Sequence, residues 1–234
     1  VIKAVSATPD GGALASVALS EATDLGPAGS YAVRFAGDGT VLSADAVEGL
    51  RSAAPTPDGG YVALHDGSFS LVLSRTGASA FDLPLQGFTF QPAFGPAAVV
   101  VGADGSTYYV GQTEGEASVG DKTIPGPGGS MVFVRVAPDG QVLAAKAFSS
   151  LGAYDAPSAL AVVEGPSGQL LVSGVVDGAF DFGHGAIGDP ERLNAFVIAL
   201  SPEGVPAWSR VVGDWGVGEG GGAGAGPGLG PPVG

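Results

Sequence analysis

The sequence of 234 residues predicts an all-β protein, and three observations support this fold class. Apolar residues alternate with small or polar residues over short stretches, which is the period of a β-strand. Asp-Gly and Gly-Gly pairs separate these stretches and supply the positive φ angles that tight hairpin turns need. A string of eleven residues, 29–39, also returns further along the chain. We therefore expect strands joined by short turns rather than helices.

The returning string is clearest when its copies are aligned on the glycine that closes each one. The copies are residues 29–39, 67–77, 130–140 and 194–204. The sixth position before the glycine is apolar in every copy, where it is Val33, Leu71, Val134 or Ile198. The alignment has no gaps, so it predicts equivalent hairpin turns at Gly39, Gly77, Gly140 and Gly204. It also predicts that the four apolar residues are buried on one repeated face.

Each copy is preceded by two short strands and followed by another, which gives four units of four strands. Repeats of roughly 40 to 60 residues with four strands each are typical of propeller blades. The predicted fold is therefore a β-propeller of four quasi-repeated four-stranded blades with a Gly-rich C-terminal tail. The predicted blades are approximately 1–48, 49–87, 88–150 and 151–212, within a domain of residues 1–212. The extra length of the last two units falls between their second and third strands and predicts loops on one rim.

Residues 174–213 resemble one repeat of the bacterial secreted β-propeller repeat family. They contain an Asp-Phe-Gly loop, an Ala-Phe-Val strand, a Pro-x-Gly turn and a Trp-Ser ending in that order. The third unit is similar but lacks the tryptophan. The resemblance implies an exported or surface protein of bacteria. Because members of that family are associated with more than four blades, three arrangements stay open: closure of this chain alone, pairing with a second chain, or a longer precursor.

Composition narrows the expected partners and location. Asp and Glu number 23 against nine Lys and Arg, which gives a net charge of -14. Such a surface repels phosphate backbones, so nucleic acid is not an expected partner. No apolar run approaches the ~20 residues of a membrane span, and the absence of cysteine excludes Cys-based metal sites. The chain begins at Val1, which favours processing after export, and we expect a secreted, extracellular or cell-surface location.

No catalytic or cofactor-binding residue is predicted, because no nucleophile elbow, P-loop or zinc-protease motif is present. Acidic residues and a histidine gather only in the loop around His184, where the weak candidates for a metal site are Asp177, Asp181 and Asp189. Their spacing differs from the alternating acids of calcium loops, so turn formation is the favoured interpretation and Ca2+ the alternative. His65 lies within a strand and is expected to be structural.

Aromatic residues give the second possible kind of site. Tyr108, Tyr109 and Trp208 can stack on sugars if they are exposed, which makes a surface glycan an alternative partner. Packing between sheets is the simpler explanation, because propeller sheets need bulky residues between them.

Residues 213–234 are a Gly- and Pro-rich tail of low complexity, for which a flexible linker is the simplest interpretation. Glycine allows close backbone approach, and main-chain hydrogen bonds along a sheet edge can replace side-chain contacts. We therefore predict that the tail is an assembly element on a neighbouring copy, with docking on its own ring as the alternative. Its key residues are Gly216, Gly222, Gly226, Pro227, Pro231 and Pro232.

Together these observations predict a secreted, non-enzymatic β-propeller that acts as a structural or interaction module. We expect it to be a subunit of an extracellular multi-subunit assembly that self-associates through its tail. The alternative is a carbohydrate- or surface-binding propeller, and a hydrolase fragment is less favoured, since propellers can assemble carboxylates from several blades.

Overall fold

The computed structural model describes residues 1–67, 70–89, 98–126, 129–149 and 158–215. These residues form nineteen strands and no helix, which confirms the predicted all-β fold class.

The strands fall into four consecutive units. Unit 1 consists of β1 (Ile2–Ala7), β2 (Ala13–Leu19), β3 (Gly29–Phe35) and β4 (Val41–Ala46). Unit 2 consists of β5 (Leu50–Pro55), β6 (Tyr61–Asp66), β7 (Leu71–Arg75) and β8 (Phe81–Thr89). Unit 3 consists of β9 (Ala98–Val101), β10 (Thr107–Val119), β11 (Lys122–Ile124), β12 (Ser130–Val136) and β13 (Val142–Ser149). Unit 4 consists of β14 (Ser158–Glu164), β15 (Leu170–Asp177), β16 (Phe180–Asp181), β17 (Ala186–Ile187), β18 (Leu193–Leu200) and β19 (Pro206–Trp215).

Neighbouring strands within each unit pair antiparallel, but the units are not all separate sheets. Units 1 and 4 each form a four-stranded sheet, in the orders β1-β2-β3-β4 and β14-β15-β18-β19. Units 2 and 3 share one nine-stranded sheet, because the far half of the long β10 also pairs with β8. The short strands β11, β16 and β17 lie between the second and third main strands of their units, where the sequence predicted insertions.

The turns explain why these sequences form hairpins. Gly39, Gly140 and Gly204 all follow an acidic residue and lie between the third and fourth main strands of their units, with φ of 86°, 89° and 72°. Each donates its N–H to the carbonyl three residues earlier, at 3.0, 3.0 and 2.8 Å. Because this left-handed conformation favours glycine, the repeated glycines fix where the strands reverse.

Unit 2 departs from the predicted alignment by three residues. In units 1, 3 and 4, the residue four after the first turn glycine pairs with Val33, Val134 and Ile198 respectively. The residue four after Gly59 is Ala63, which pairs with Ser74 rather than with the predicted Leu71. The predicted equivalence of Leu71 and of Gly77 is therefore wrong, although Gly77 does lie in the β7–β8 turn with φ of 101°.

The shift also changes which face Leu71 occupies, because an odd shift in a strand reverses the direction of every side chain. Leu71 packs towards unit 3, whereas Val134 and Ile198 pack towards the unit before their own. The predicted burial is nevertheless confirmed: Val33, Leu71, Val134 and Ile198 are 0, 6, 0 and 0% exposed.

The units stack in chain order. Their first strands, β1, β5, β9 and β14, pack one against the next. Three hydrophobic clusters join successive units, and we call them the first, second and third seams. The first seam joins units 1 and 2 through Leu14, Ala32, Leu50, Ala53 and Ala63. The second joins units 2 and 3 through residues that include Val62, Leu64, Leu73, Tyr109 and Val132. The third joins units 3 and 4 through residues that include Tyr108, Phe133, Leu170, Phe196 and Ile198.

Candidate functional site

An arginine links each of the first three units to the unit that follows it. Arg34, Arg75 and Arg135 occupy the same ladder position, opposite the residue that lies three after the first turn glycine of their unit. All three side chains lie at the end of the stack that carries the turns between first and second strands. We call this end the turn end.

Arg34 shows the pattern most fully. Its Nη2 donates to Asp10 at 2.7 Å, in the first turn of its own unit, and its Nη1 donates to the carbonyl of Gly59 at 2.6 Å, in the first turn of unit 2. The strong hydrogen bonds of a guanidinium to a carboxylate and to a carbonyl thus fix the two turns side by side.

The other two arginines repeat this arrangement with small changes. Arg75 pairs with Asp58 of its own unit at 3.5 Å and donates to the carbonyl of Gly105 in unit 3 at 3.0 Å. Arg135 pairs with Asp104 at 2.8 Å and reaches Glu203 of unit 4 at 3.5 Å. Its guanidinium also lies over the Tyr108 ring, 5.6 Å from the ring centre.

The first seam opens into a cleft at the turn end. The cleft holds about 120 Å3 and lies between units 1 and 2, where Arg34, Ser43, Asp45 and Tyr61 line it. The side chain of Arg34 is 29% exposed, whereas that of Arg75 in the second seam is only 4% exposed. The same arginine position is therefore open in one seam and closed in the next.

Two groups of the cleft come from different units and act on each other. Asp45 lies on β4 of unit 1, and Tyr61 begins β6 of unit 2. Burial, together with the charge of Asp45 and its hydrogen bond, raises the pKa of Tyr61 to about 12. The phenol is a hydroxyl that donates to this carboxylate acceptor across the seam.

The acidic loop of unit 4 uses its carboxylates to hold backbone. Asp181 accepts the N–H groups of Gly183 and Gly185 at 2.6 and 3.0 Å. Asp189 accepts the N–H of Glu191 at 2.9 Å and pairs with Arg192 at 3.3 Å. These are the contacts of turn formers.

The structure does not bring the candidate metal ligands into one cluster. Asp177 is exposed at the end of β15, and His184 lies against the carbonyl of Pro206 at 2.9 Å. Within the described ranges, no three His, Asp or Glu side chains come together in a geometry that suits a metal ion.

Asn194 holds this loop together, and no sequence pattern predicted this role. It is 1% exposed, and its amide donates to the carbonyls of Gly178, Asp189 and Arg192 at 2.8 to 3.0 Å. Its side-chain oxygen accepts the N–H of Asp189 at 3.0 Å. One buried amide thus contacts four backbone groups of the loop and holds its two ends together.

Unit 2 brings together a serine, a histidine and an aspartate. Ser74 donates its hydroxyl to Asp82 at 2.6 Å, and Nε2 of His65 lies 2.7 Å from the Ser74 oxygen. The serine lies between the other two, so its proton points to the carboxylate rather than to the imidazole. A hydrolytic triad needs the histidine in the middle, and this chain of hydrogen bonds is a structural contact across the strands.

The aromatic residues mostly fill the seams. Tyr108 and Tyr109 are 1 and 0% exposed, so neither can stack on a sugar from solvent. The Tyr109 ring folds over Gly111, where a Cβ would overlap the phenol oxygen. Trp208 is 39% exposed on unit 4. Packing is therefore the correct explanation for the tyrosine pair.

The tail residues Gly216, Gly222, Gly226, Pro227, Pro231 and Pro232 lie outside the described residues. In the ranges that are described, no helix is long and apolar enough to cross a membrane.

Comparisons with solved structures give weak similarities, of which two are described here. No protein-family model and no curated protein matches the sequence. A crystal structure of regucalcin, a calcium-binding protein from Agrobacterium tumefaciens strain C58, is 17% identical with a TM-score of 0.38, over 74% of this chain and 52% of that chain. A protein of unknown function from Bacteroides caccae is 12% identical with a TM-score of 0.34, over 80% of this chain and 69% of that one.

The chain spans about half the length of that regucalcin. Neither similarity is close enough to assign a family, a ligand or an activity to this chain.

Proposed function

We propose that the four units are blades of a β-propeller and that the protein works as a structural or interaction module rather than as an enzyme. The observation that carries the proposal is the order of packing. First strands pack on first strands in chain order, and each unit lays a face on the next. This is how blades are arranged around a central axis.

The arginine links support a rigid scaffold. Each one ties a unit to its successor at the turn end, Arg34 and Arg75 by a hydrogen bond to a carbonyl and Arg135 by an ion pair, in addition to the hydrophobic seam. A stack held at both its core and its rim presents its loops in fixed positions, which suits binding to a partner.

The resemblance of residues 174–213 to secreted propeller repeats supports an extracellular or cell-surface location. The acidic surface, with a net charge of -14, suits an exported protein and disfavours nucleic acid as a partner. We propose self-association through residues 216–234 as the way that copies assemble. A glycine-rich segment can add to a sheet edge through its main chain alone.

Deletion of residues 216–234 tests the assembly role on a sizing column. We expect the truncated protein to keep the melting temperature of the parent and to lose its large particles. The matched control replaces the same residues with a Gly-Ser segment of equal length, and it should keep the particles, because the proposed docking uses the main chain alone. Unchanged particle size after deletion, or loss of the fold, contradicts the proposal.

A further inference from the structure

We propose that the cleft in the first seam binds one neutral sugar ring. The proposal concerns the Arg34, Ser43, Asp45 and Tyr61 cleft at the turn end and does not depend on the proposed assembly. If the tail proves to have no role, this site is unaffected.

The size of the cleft sets the size of the ligand. A volume of about 120 Å3 is much smaller than the ~300 to 1,000 Å3 of pockets for drug-sized ligands. On this measure one water molecule needs roughly 10 to 15 Å3, so the cleft takes about eight to twelve waters, which is the scale of one hexose with its hydroxyls. The ligand is therefore one ring rather than an extended chain.

The polar groups of the cleft suit hydroxyls. Asp45 is an exposed carboxylate that accepts the Tyr61 hydroxyl and has further lone pairs for other donors, the Tyr61 oxygen can accept, and Ser43 carries a hydroxyl that can donate or accept. Sugar hydroxyls can take both roles, so they match a lining in which donors and acceptors are mixed.

The charges of the cleft favour a neutral ligand over an anion. Two nitrogens of Arg34 are already committed, to Asp10 at 2.7 Å and to Gly59 at 2.6 Å. The neighbouring Asp45 adds a negative charge, and the whole chain carries a net charge of -14. An incoming anion would meet a guanidinium that Asp10 already neutralises and the carboxylate of Asp45.

Apolar side chains complete the walls. Leu14, Pro9 and Pro55 line the cleft beside the Tyr61 ring. The carbon–hydrogen face of a sugar packs on such surfaces while its hydroxyls reach the polar groups. The site is thus formed by two neighbouring units and exists only when the first seam is assembled.

The test is an NMR titration of the full chain with D-glucose, D-galactose and D-mannose in turn. We expect saturable shifts for at least one sugar, centred on the amides of Ser43, Gly60 and Tyr61. Sodium sulfate and tetramethylammonium chloride serve as anionic and cationic probes. Saturable binding of either ion at these amides without binding of a sugar, or no saturable shift with any of the three sugars, overturns the proposal.

Variants connect the binding to the cleft. Asp45→Asn keeps the size of the side chain and should weaken binding about tenfold, since a hydrogen bond to a charged acceptor is lost. Ser43→Leu fills the cleft and should abolish binding. The matched control for the aspartate is Asp38→Asn, which lies in the β3–β4 turn outside the cleft and should bind as the parent does.

A second pair of variants tests the hydroxyl of Tyr61, and melting temperatures test whether each variant is folded. Tyr61→Phe should weaken binding. The control is Tyr31→Phe, which should bind as the parent does, because the Tyr31 hydroxyl donates to the carbonyl of Pro27 away from the cleft. Melting temperatures near that of the parent show that each variant is folded. Equal binding by Asp45→Asn, Tyr61→Phe and the parent contradicts the site.

Discussion

The first and third seams both join two sheets face to face, but side chains of different size fill them. The first seam depends on three alanines and two leucines. The third contains several aromatic rings, and those of Phe182 and Phe196 lie 5.0 Å apart. Small side chains leave less apolar area to bury, so the first seam contributes less free energy of folding than the third.

The difference in size also decides where a cavity can exist. Larger side chains fill the later seams, and the arginine of the second seam is almost fully buried. Beside the alanines of the first seam, the equivalent Arg34 is partly exposed and a cleft remains. The comparison shows that the same repeated unit can form a tightly packed seam between units 3 and 4 and leave an open cleft between units 1 and 2.

The largest expected effect comes from removing a ring of the third seam. Phe133 is 0% exposed, and Phe133→Ala should lower the free energy of unfolding by about 3–5 kcal/mol, because it leaves a cavity between two packed sheets. Urea unfolding measures the loss. Val163→Ala, at a residue that is 53% exposed, is the control and should cost less than about 1 kcal/mol. A Phe133→Ala protein as stable as the parent would mean that the third seam is not the main core.

The second expected effect is the loss of stability when the arginine of a closed seam or of the open first seam is replaced. Arg75→Met should cost about 1–3 kcal/mol, because it leaves the carbonyl of Gly105 without its donor inside a closed seam. Arg34→Met, in the open seam, should cost less than about 1 kcal/mol, since water can replace the lost contacts. Urea midpoints of the two variants test this order, and equal losses would contradict the difference between the seams.

Lowering the pH should produce the smallest of the expected losses of folding stability. Hydrogen bonds from Thr8 and Arg34 hold the pKa of Asp10 below the ordinary value of 3.8. Burial opposes the same shift at Asp104, but hydrogen bonds from Ser106 and Arg135 outweigh it, so its pKa is lowered too. A carboxyl with a lowered folded pKa stabilises the protein above the unfolded value. That stabilisation is lost as the pH falls below 3.8.

The check is the urea midpoint measured between about pH 5 and about pH 3. We expect a decline that is shallower in the Asp10→Asn/Asp104→Asn double variant than in the parent. An identical decline in both proteins would show that the linked aspartates do not contribute.

Much of the fold could be predicted because its causes are local. Alternation defines the strands, and an acidic residue before glycine defines the turns at Gly39, Gly140 and Gly204. The prediction failed in unit 2 because the glycine chosen there, Gly77, follows a threonine and does not close a turn of that kind. The strand pairs of the structure, such as Val62 with Arg75 and Ala63 with Ser74, show the true register.

The site was harder to predict because it forms between units. Arg34 and Arg135 both lie five residues before a turn glycine on the mixed face, which was a usable signal, but the misaligned second unit concealed Arg75. Asp45 and Tyr61 belong to different repeats, and only the packing of one sheet on the next brings them together. The predicted roles of the tail stay predictions.

The most direct test of the account is whether successive units pack in chain order, and Gly204 and Phe133 allow it to be measured. Gly204 lies in the β18–β19 turn of unit 4 with φ of 72°, and a Cβ there would overlap the Phe133 ring of unit 3. A double-mutant cycle compares Gly204→Ala in the parent and in the Phe133→Ala background.

The backbone strain of alanine at this φ is the same in both backgrounds, so any difference between them reports the contact across the third seam. We predict that Gly204→Ala destabilises the parent more than the Phe133→Ala protein, with a coupling free energy of about 0.5–3 kcal/mol in urea unfolding. Additive effects, within about 0.3–0.5 kcal/mol, would contradict the packing of unit 4 on unit 3.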